Sequence, residues 1–134
     1  MNTFKLTVAT PDKNVFDGEA VSLLVKTEAG DVEILAKHSD LIAAVGTGRA
    51  KITLESGARI ASCSGGMLTV KDGAVKLLAI TFEYSDEIDL ERARAAKERA
   101  EAALRAAKDE SEARIARARL GRAIARISAA TKKQ

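Results

Sequence analysis

Val75-Lys76-Leu77-Leu78-Ala79-Ile80-Thr81-Phe82-Glu83-Tyr84-Ser85-Asp86-Glu87-Ile88-Asp89-Leu90-Glu91-Arg92-Ala93-Arg94-Ala95-Ala96 contains the transition that organises this chain. Its first part is aliphatic and aromatic, as strands require, whereas its second part turns to alanine, arginine and glutamate, which favour helix. Outward from this point the composition stays divided. Eight of the nine glycines precede residue 87, and only Gly121 follows it, with no proline. Formal charge divides as well, to −3 over residues 1–87 and +6 over residues 88–134. Two domains with different tasks, 1–87 and 88–134, are the expectation.

The first domain reads as short strands. Phe4, Leu6 and Val8 alternate with Lys5 and Thr7, and Val21, Leu23 and Val25 follow a looser alternation. Further strands are expected at 49–54, 59–64, 67–70 and 75–82. Pro11-Asp12-Lys13-Asn14, Ala29-Gly30-Asp31, Glu55-Ser56-Gly57-Ala58 and Lys71-Asp72-Gly73-Ala74 read as turns. Gly46-Thr47-Gly48-Arg49 reads as another turn, and Ser64-Gly65-Gly66 as a tight bend. Closely spaced strands with no helical pattern between them indicate an antiparallel sandwich or barrel, and the β-sandwich is the expectation.

The second domain changes period. Helices are expected over 88–107 and 112–130, folded into an antiparallel hairpin, which makes the whole chain α+β. Ser85 or Asp86 is a candidate cap for the first helix and Ser111 for the second. Ala113, Ala116, Leu120, Ala123, Ile127 and Ala130 form the seam of the second helix. Alanine has only a fraction of the roughly 1.5–3 kcal/mol available from burying a leucine or isoleucine, so the hairpin is weakly packed and suited to opening. A permanently folded hairpin is the alternative.

Several classes of chemistry lack their residues. The longest apolar runs fall well short of the roughly 20 residues that cross a bilayer. The N-terminal stretch lacks the regions of a secretory signal, so a cytoplasmic location and no direct membrane insertion are expected. His38 and Cys63 are the only histidine and the only cysteine, and no spacing suggests a metal site. Cys63 reads as a buried strand residue. The second helix is basic, with Arg114, Arg117, Arg119, Arg122, Arg126, Lys132 and Lys133 against Glu112. A nucleic-acid-binding hairpin is therefore an alternative function, but all four aromatic residues lie in the first domain, away from those arginines. A scaffolding protein that uses the sandwich alone is another.

The succession Thr10-Pro11-Asp12, then Gly30-Asp31-Val32-Glu33-Ile34-Leu35 leading to His38, then Ser64-Gly65-Gly66-Met67-Leu68-Thr69-Val70, then a helical hairpin, resembles the epsilon-subunit family of bacterial F-type ATP synthases along its whole length. The resemblance implies a non-catalytic central-stalk subunit, peripheral on the cytoplasmic face of the cell membrane. Its sandwich is implied to dock on the gamma subunit and the membrane c-ring, with Asp31, Glu33 and His38 in a ring-facing loop. Glu33, Ala36, Lys37 and Asp40 depart from the glycines and prolines usual in that loop. The bottom-up reading of His38 is a structural histidine bonded to a neighbouring carbonyl, with a pH switch as the alternative.

The hairpin is implied to act as a brake on ATP hydrolysis. When extended, Arg114, Arg117, Arg119, Arg122 and Arg126 would face the alpha and beta catalytic subunits. A 45-residue segment in continuous helix reaches about 65–70 Å. Ile88-Asp89-Leu90-Glu91-Arg92-Ala93 also matches the Ile-Asp-x-x-Arg-Ala pattern of ATP-binding members, as do Glu83, Arg99, Arg122 and Arg126 individually. ATP is thus the implied regulatory ligand, with no metal or prosthetic group. Helical spacing agrees, since Asp89 and Arg92, Arg92 and Arg99, and Arg122 and Arg126 each share a face. Asp89 and Glu83 are assigned to adenine or to holding the arginines, and Ile88 and Ala93 to an apolar surface. The alternative for these charges is ordinary helix pairing, at about 0.2–0.5 kcal/mol each.

Overall fold

The structure is a computed structural model that describes residues 2–131. Lys132 and Lys133, counted above among the basic residues of the second helix, lie outside the described residues. Eight strands come first: β1 (Phe4–Ala9), β2 (Asn14–Ala20), β3 (Ser22–Thr27), β4 (Gly30–Leu35), β5 (Leu41–Ala44), β6 (Thr47–Leu54), β7 (Gly57–Lys71) and β8 (Ala74–Tyr84). A short 3₁₀ turn at Ser85–Glu87 leads to α1 (Leu90–Ala106) and α2 (Glu110–Thr131). The strands hydrogen-bond in the order β2-β1-β8-β7-β6-β3-β4, with β5 also on β7. The expected sandwich is present, with one difference in pairing: β1 runs parallel to β8.

Alternation along the strands sends one face inward. Leu6, Val8, Leu23, Val25, Ile34, Ile52, Leu68, Val75 and Leu77 are buried almost completely. Burial contributes roughly 1.5–3 kcal/mol for each such side chain. The core cluster comes wholly from residues 4–84 and needs no side chain from the hairpin. Cys63 belongs to this core, and burial pushes its thiol up to about 12, which leaves it unreactive at neutral pH.

β7 overrides two expected strands and the bend between them. Its register with β8 continues from Ala61 opposite Tyr84 to Lys71 opposite Ala74, so residues 59–64 and 67–70 form one strand. Gly65 and Gly66 bend this strand without ending it, at φ of 71° and 106°. The first part of β7 then pairs with β6 and the last part with β5, which lets one strand serve both regions of the sandwich. Likewise Thr47, Gly48 and Arg49 are the opening residues of β6 and not a turn, because pairing with Ser64, Cys63 and Ser62 extends the strand over them.

Helix boundaries also differ from expectation. Ser85 and Asp86 form the 3₁₀ turn, and α1 is capped by Asp89, whose Oδ1 accepts from the Arg92 backbone N–H at 3.1 Å. In α2 the cap is Asp109 and not Ser111: its Oδ1 accepts from Glu112 N–H at 2.8 Å and its carbonyl from Ala113 N–H. The longer helix places Glu110 beside Glu112 in its first turn. Arg59 ties the junction down from the sandwich side, with its guanidinium 3.5 Å above the Tyr84 ring and 3.7 Å from Asp86.

Packing of α2 is the main difference in the hairpin. Of the expected seam only Ala116 and Ala123 are buried, whereas Ala125 and Ala129 are buried on a second face. Gly121, Ala125 and Ala129 recur every four residues. A Cβ at Gly121 would stand 4.0 Å from Thr47 Cγ2, and α2 packs on β6 and β7. Two buried faces give α2 two partners, where one stripe of alanines predicts only one. α1 rests on α2, and α2 in turn rests on the sandwich.

Candidate functional site

The folded-back hairpin forms a cavity of about 380 Å³ between its helices, lined by Ala96, Arg99, Ala100 and Ala103 of α1 and Arg119, Arg122, Ala123 and Arg126 of α2. Helical spacing builds it. Residues 96, 99/100 and 103 share one face of α1, and residues 119, 122/123 and 126 share one face of α2. Alanine methyls form the floor and leave room, while the long arginines form the walls.

The electrostatics of this cavity are unbalanced. Arg126 is matched by Glu83 of β8, with Nε 2.9 Å from Oε1 and a second bond of 3.3 Å from Nη2 to Oε2. Arg99, Arg119 and Arg122 have no ion-pair partner among the described residues. Guanidinium groups keep their charge near neutral pH, so an anion bridging them would be attracted by all of them. Planar forks of this kind bind phosphate oxygens bidentately.

The structure gathers part of the residue set expected for a nucleotide. Arg99, Arg122 and Arg126 line the cavity, and Glu83 holds Arg126 in place. Asp89 and Arg92 lie at the start of α1 outside the lining, where the Asp89 carboxylate is occupied in capping the helix. Ile88 is half-buried in the extended junction, and Ala93 is fully buried and does not line the cavity. Arg119 was assigned above only to the extended state. Its position three residues before Arg122 and seven before Arg126 is the signal that places it here.

The remaining arginines of α2 do not line the cavity. Arg114 and Arg117 are exposed, and Arg117 pairs with Glu110 in the first turn of its own helix.

Two surfaces of the sandwich are distinctive. Asp31 and Glu33 lie exposed two residues apart on β4, so they belong to a strand and not to the expected loop. Only His38 lies in a turn, where its Nδ1 is 2.7 Å from the Ser39 carbonyl oxygen. Lys37 beside it takes the left-handed conformation, φ 66°, that a glycine would adopt without strain. The second surface is apolar. The pairing of Ala44 with Met67 and of Met67 with Leu78 carries a stripe across β5, β7 and β8. Ile42 and Ile80 extend it, and Ile42, Met67, Leu78 and Ile80 are all exposed. A cavity of about 880 Å³ beside this stripe has Lys71 and Lys76 balanced by Asp40 and Asp72, so charge does not converge there.

No group of His, Cys, Asp and Glu able to hold a metal ion occurs among the described residues. No described helix is long and apolar enough to cross a membrane.

A sandwich followed by a long-helix domain is the two-domain plan of ATP synthase delta/epsilon chains. The family model for the ATP synthase delta/epsilon chain beta-sandwich domain matches residues 3–85, and that for the long alpha-helix domain matches residues 86–131. The chain is 41% identical over 134 residues to the ATP synthase epsilon chain of Ruminococcus albus, covering 99% of this chain and 100% of that one. It is 36% identical over 130 residues to the epsilon chain of Bacillus velezensis, covering 97% and 98%. The chain belongs to the delta/epsilon family of ATP synthase subunits, among its bacterial epsilon chains.

The fold recurs in a solved structure of the Euglena gracilis mitochondrial ATP synthase OSCP/F1/c-ring assembly, with TM-score 0.85 and 23% identity over 97% of this chain and 82% of that chain. It recurs also in the central stalk/c-ring structure of the Tetrahymena thermophila mitochondrial enzyme, with TM-score 0.63 and 19% identity over 95% and 96%.

Proposed function

We propose that this subunit sits in the central stalk of its ATP synthase and acts as a nucleotide-sensitive brake on ATP hydrolysis, without catalysing a reaction itself. The observation that carries this reading is the use of arginines in the folded-back hairpin. Arg119, Arg122 and Arg126, three of the five residues assigned to the extended contact, line the inter-helix cavity with Arg99. A ligand bound there holds those arginines inside the hairpin. Opening frees them to reach the alpha and beta subunits.

The sandwich provides assembly. Its apolar stripe on β5, β7 and β8 docks on the gamma subunit, and Asp31, Glu33 and His38 face the c-ring. The complex as a whole then keeps this chain peripheral, at the cytoplasmic face of the cell membrane.

ATP is the ligand that fits the cavity. Its phosphates match the unpaired guanidinium groups, and charge-assisted hydrogen bonds contribute about 1.5–3 kcal/mol each before ordering costs. ATP at about 100 times its dissociation constant favours the closed form by about 2.7 kcal/mol. That is enough to shift a hairpin whose buried residues are all alanines.

Titration calorimetry on the isolated subunit tests this. ATP should bind in the micromolar to millimolar range, and Arg99→Ala or Arg122→Ala should weaken it by about tenfold or more. Asp89→Ala and Arg92→Ala should weaken it too, the former by removing the cap that orders the start of α1. Absence of both heat and thermal stabilisation at millimolar ATP would defeat the nucleotide reading.

A further inference from the structure

We propose that Arg119 is an additional phosphate-binding residue of the inter-helix cavity, and that the cavity recognises a polyphosphate chain as such; this rests on the nucleotide reading above and extends it. Four observations support the assignment. Arg119 lines the same cavity as Arg99, Arg122 and Arg126. Like Arg99 and Arg122, it has no ion-pair partner among the described residues. Its side chain is exposed and is therefore not retained by packing. Finally, among the described residues the only carboxylate that pairs with a cavity arginine is Glu83, and Glu83 engages Arg126 at the opposite end.

The antiparallel helices order these groups along the cavity. Arg126 is nearest the sandwich, where it meets β8, followed by Arg122 and then Arg119, toward the turn between the helices. Residues 119 and 126 are separated by about 10 Å along the helix axis at 1.5 Å per residue. A row of guanidinium groups over that length suits several linked phosphates better than a single one. Arg126 is partly neutralised by Glu83, so the uncompensated charge lies on Arg99, Arg122 and Arg119. The strongest attraction for an anion therefore lies toward the Arg119 end.

Calorimetry on the full chain at fixed ionic strength, with ATP and separately with inorganic tripolyphosphate, provides the test. Arg119→Gln should weaken binding of both ligands about tenfold, or ~1.4 kcal/mol. Arg119→Lys, which keeps the charge but loses the fork, should fall between Arg119→Gln and wild type. Arg105→Gln is the control for general loss of positive charge. Arg105 is exposed near the same end of the hairpin but does not line the cavity, and its replacement should change affinity less than twofold.

Equal effects of Arg119→Gln and Arg105→Gln on both ligands would overturn the proposal. Tripolyphosphate isolates the anion site from the nucleotide reading. If wild type binds tripolyphosphate in an Arg119-dependent manner but does not bind ATP, the nucleotide reading fails and the Arg119 assignment stands. If wild type binds neither, both fail.

Discussion

Replacing Leu78 and Ile80 together by aspartate is expected to abolish stable association with the gamma subunit while leaving the isolated chain folded. Both side chains point outward from β8, at 50% and 62% exposure, between inward-facing Leu77, Ala79 and Phe82. Neither contributes to the core cluster, so the monomer loses little. Their neighbours are Met67 on β7 and, through it, Ala44 on β5. Aspartates would put two charges in the middle of this apolar stripe. Docking on a partner surface of matching character then loses roughly 1.5–3 kcal/mol of apolar burial per side chain and adds the cost of desolvating two carboxylates. A decrease in affinity of about a thousandfold or more follows from that sum. Co-purification of tagged gamma with the variant measures it. Undiminished recovery of a folded variant would show that gamma docks elsewhere.

Gly66→Ala is expected to be the most damaging single glycine replacement in the sandwich. A Cβ at this position would lie 1.9 Å from the Leu78 carbonyl oxygen and 2.8 Å from the Ala79 Cα, both backbone atoms of the paired strand. The φ of 106° is a second obstacle. Backbone strain of about 1–3 kcal/mol and a comparable overpacking term together give a loss of about 3 kcal/mol or more. Marginal stability of about 5–15 kcal/mol makes that a large fraction. Gly73→Ala is the comparison, since Gly73 has φ 81° but open space around it. That change should cost only about 1–2 kcal/mol. Urea midpoints for the two variants should therefore differ clearly, and equal midpoints would contradict the account of the β7 bend.

The same two glycines show where the sequence was readable and where it was not. Ser64-Gly65-Gly66 signalled unusual backbone, and the structure has it there. Local sequence did not distinguish a strand end from a bend inside a long strand, because the distinction is set by β8 pairing on both sides of the bend. The parallel contact of β1 with β8 was hidden for a similar reason, being a pairing of segments nearly seventy residues apart along the chain. In the hairpin, Asp89 and Asp109 show that capping was legible as a residue type but not as a position. Ser85, Asp86 and Ser111 are equally good caps, and the 3₁₀ turn decided which residue began α1.

Arg99, Arg122 and Arg126 were named together through the family resemblance, helical spacing joining only Arg122 to Arg126, and they share the cavity. Glu83 was named with them, but its bond to Arg126 spans 43 residues and depends on α2 resting against the sandwich. Arg119 lies on the same face, three residues before Arg122, but matches no position of the ATP-binding pattern, so the sequence points it only to the extended contact, whereas Arg122 and Arg126 are expected in both states.

A hairpin that restrains hydrolysis, on a sandwich that suffices for assembly, can be removed without loss of the subunit from the enzyme. A chain ending at Glu87 keeps every residue of the core cluster and also the Glu87 carboxylate, which accepts from the Tyr84 backbone N–H at 3.0 Å. ATP hydrolysis by ATP synthase reconstituted with this shortened subunit, measured against enzyme carrying the full chain at low ATP concentration, is the most direct measurement. The two forms should be incorporated equally, with faster hydrolysis in the enzyme carrying the shortened one; equal incorporation with equal hydrolysis rates would rule out the hairpin as the brake.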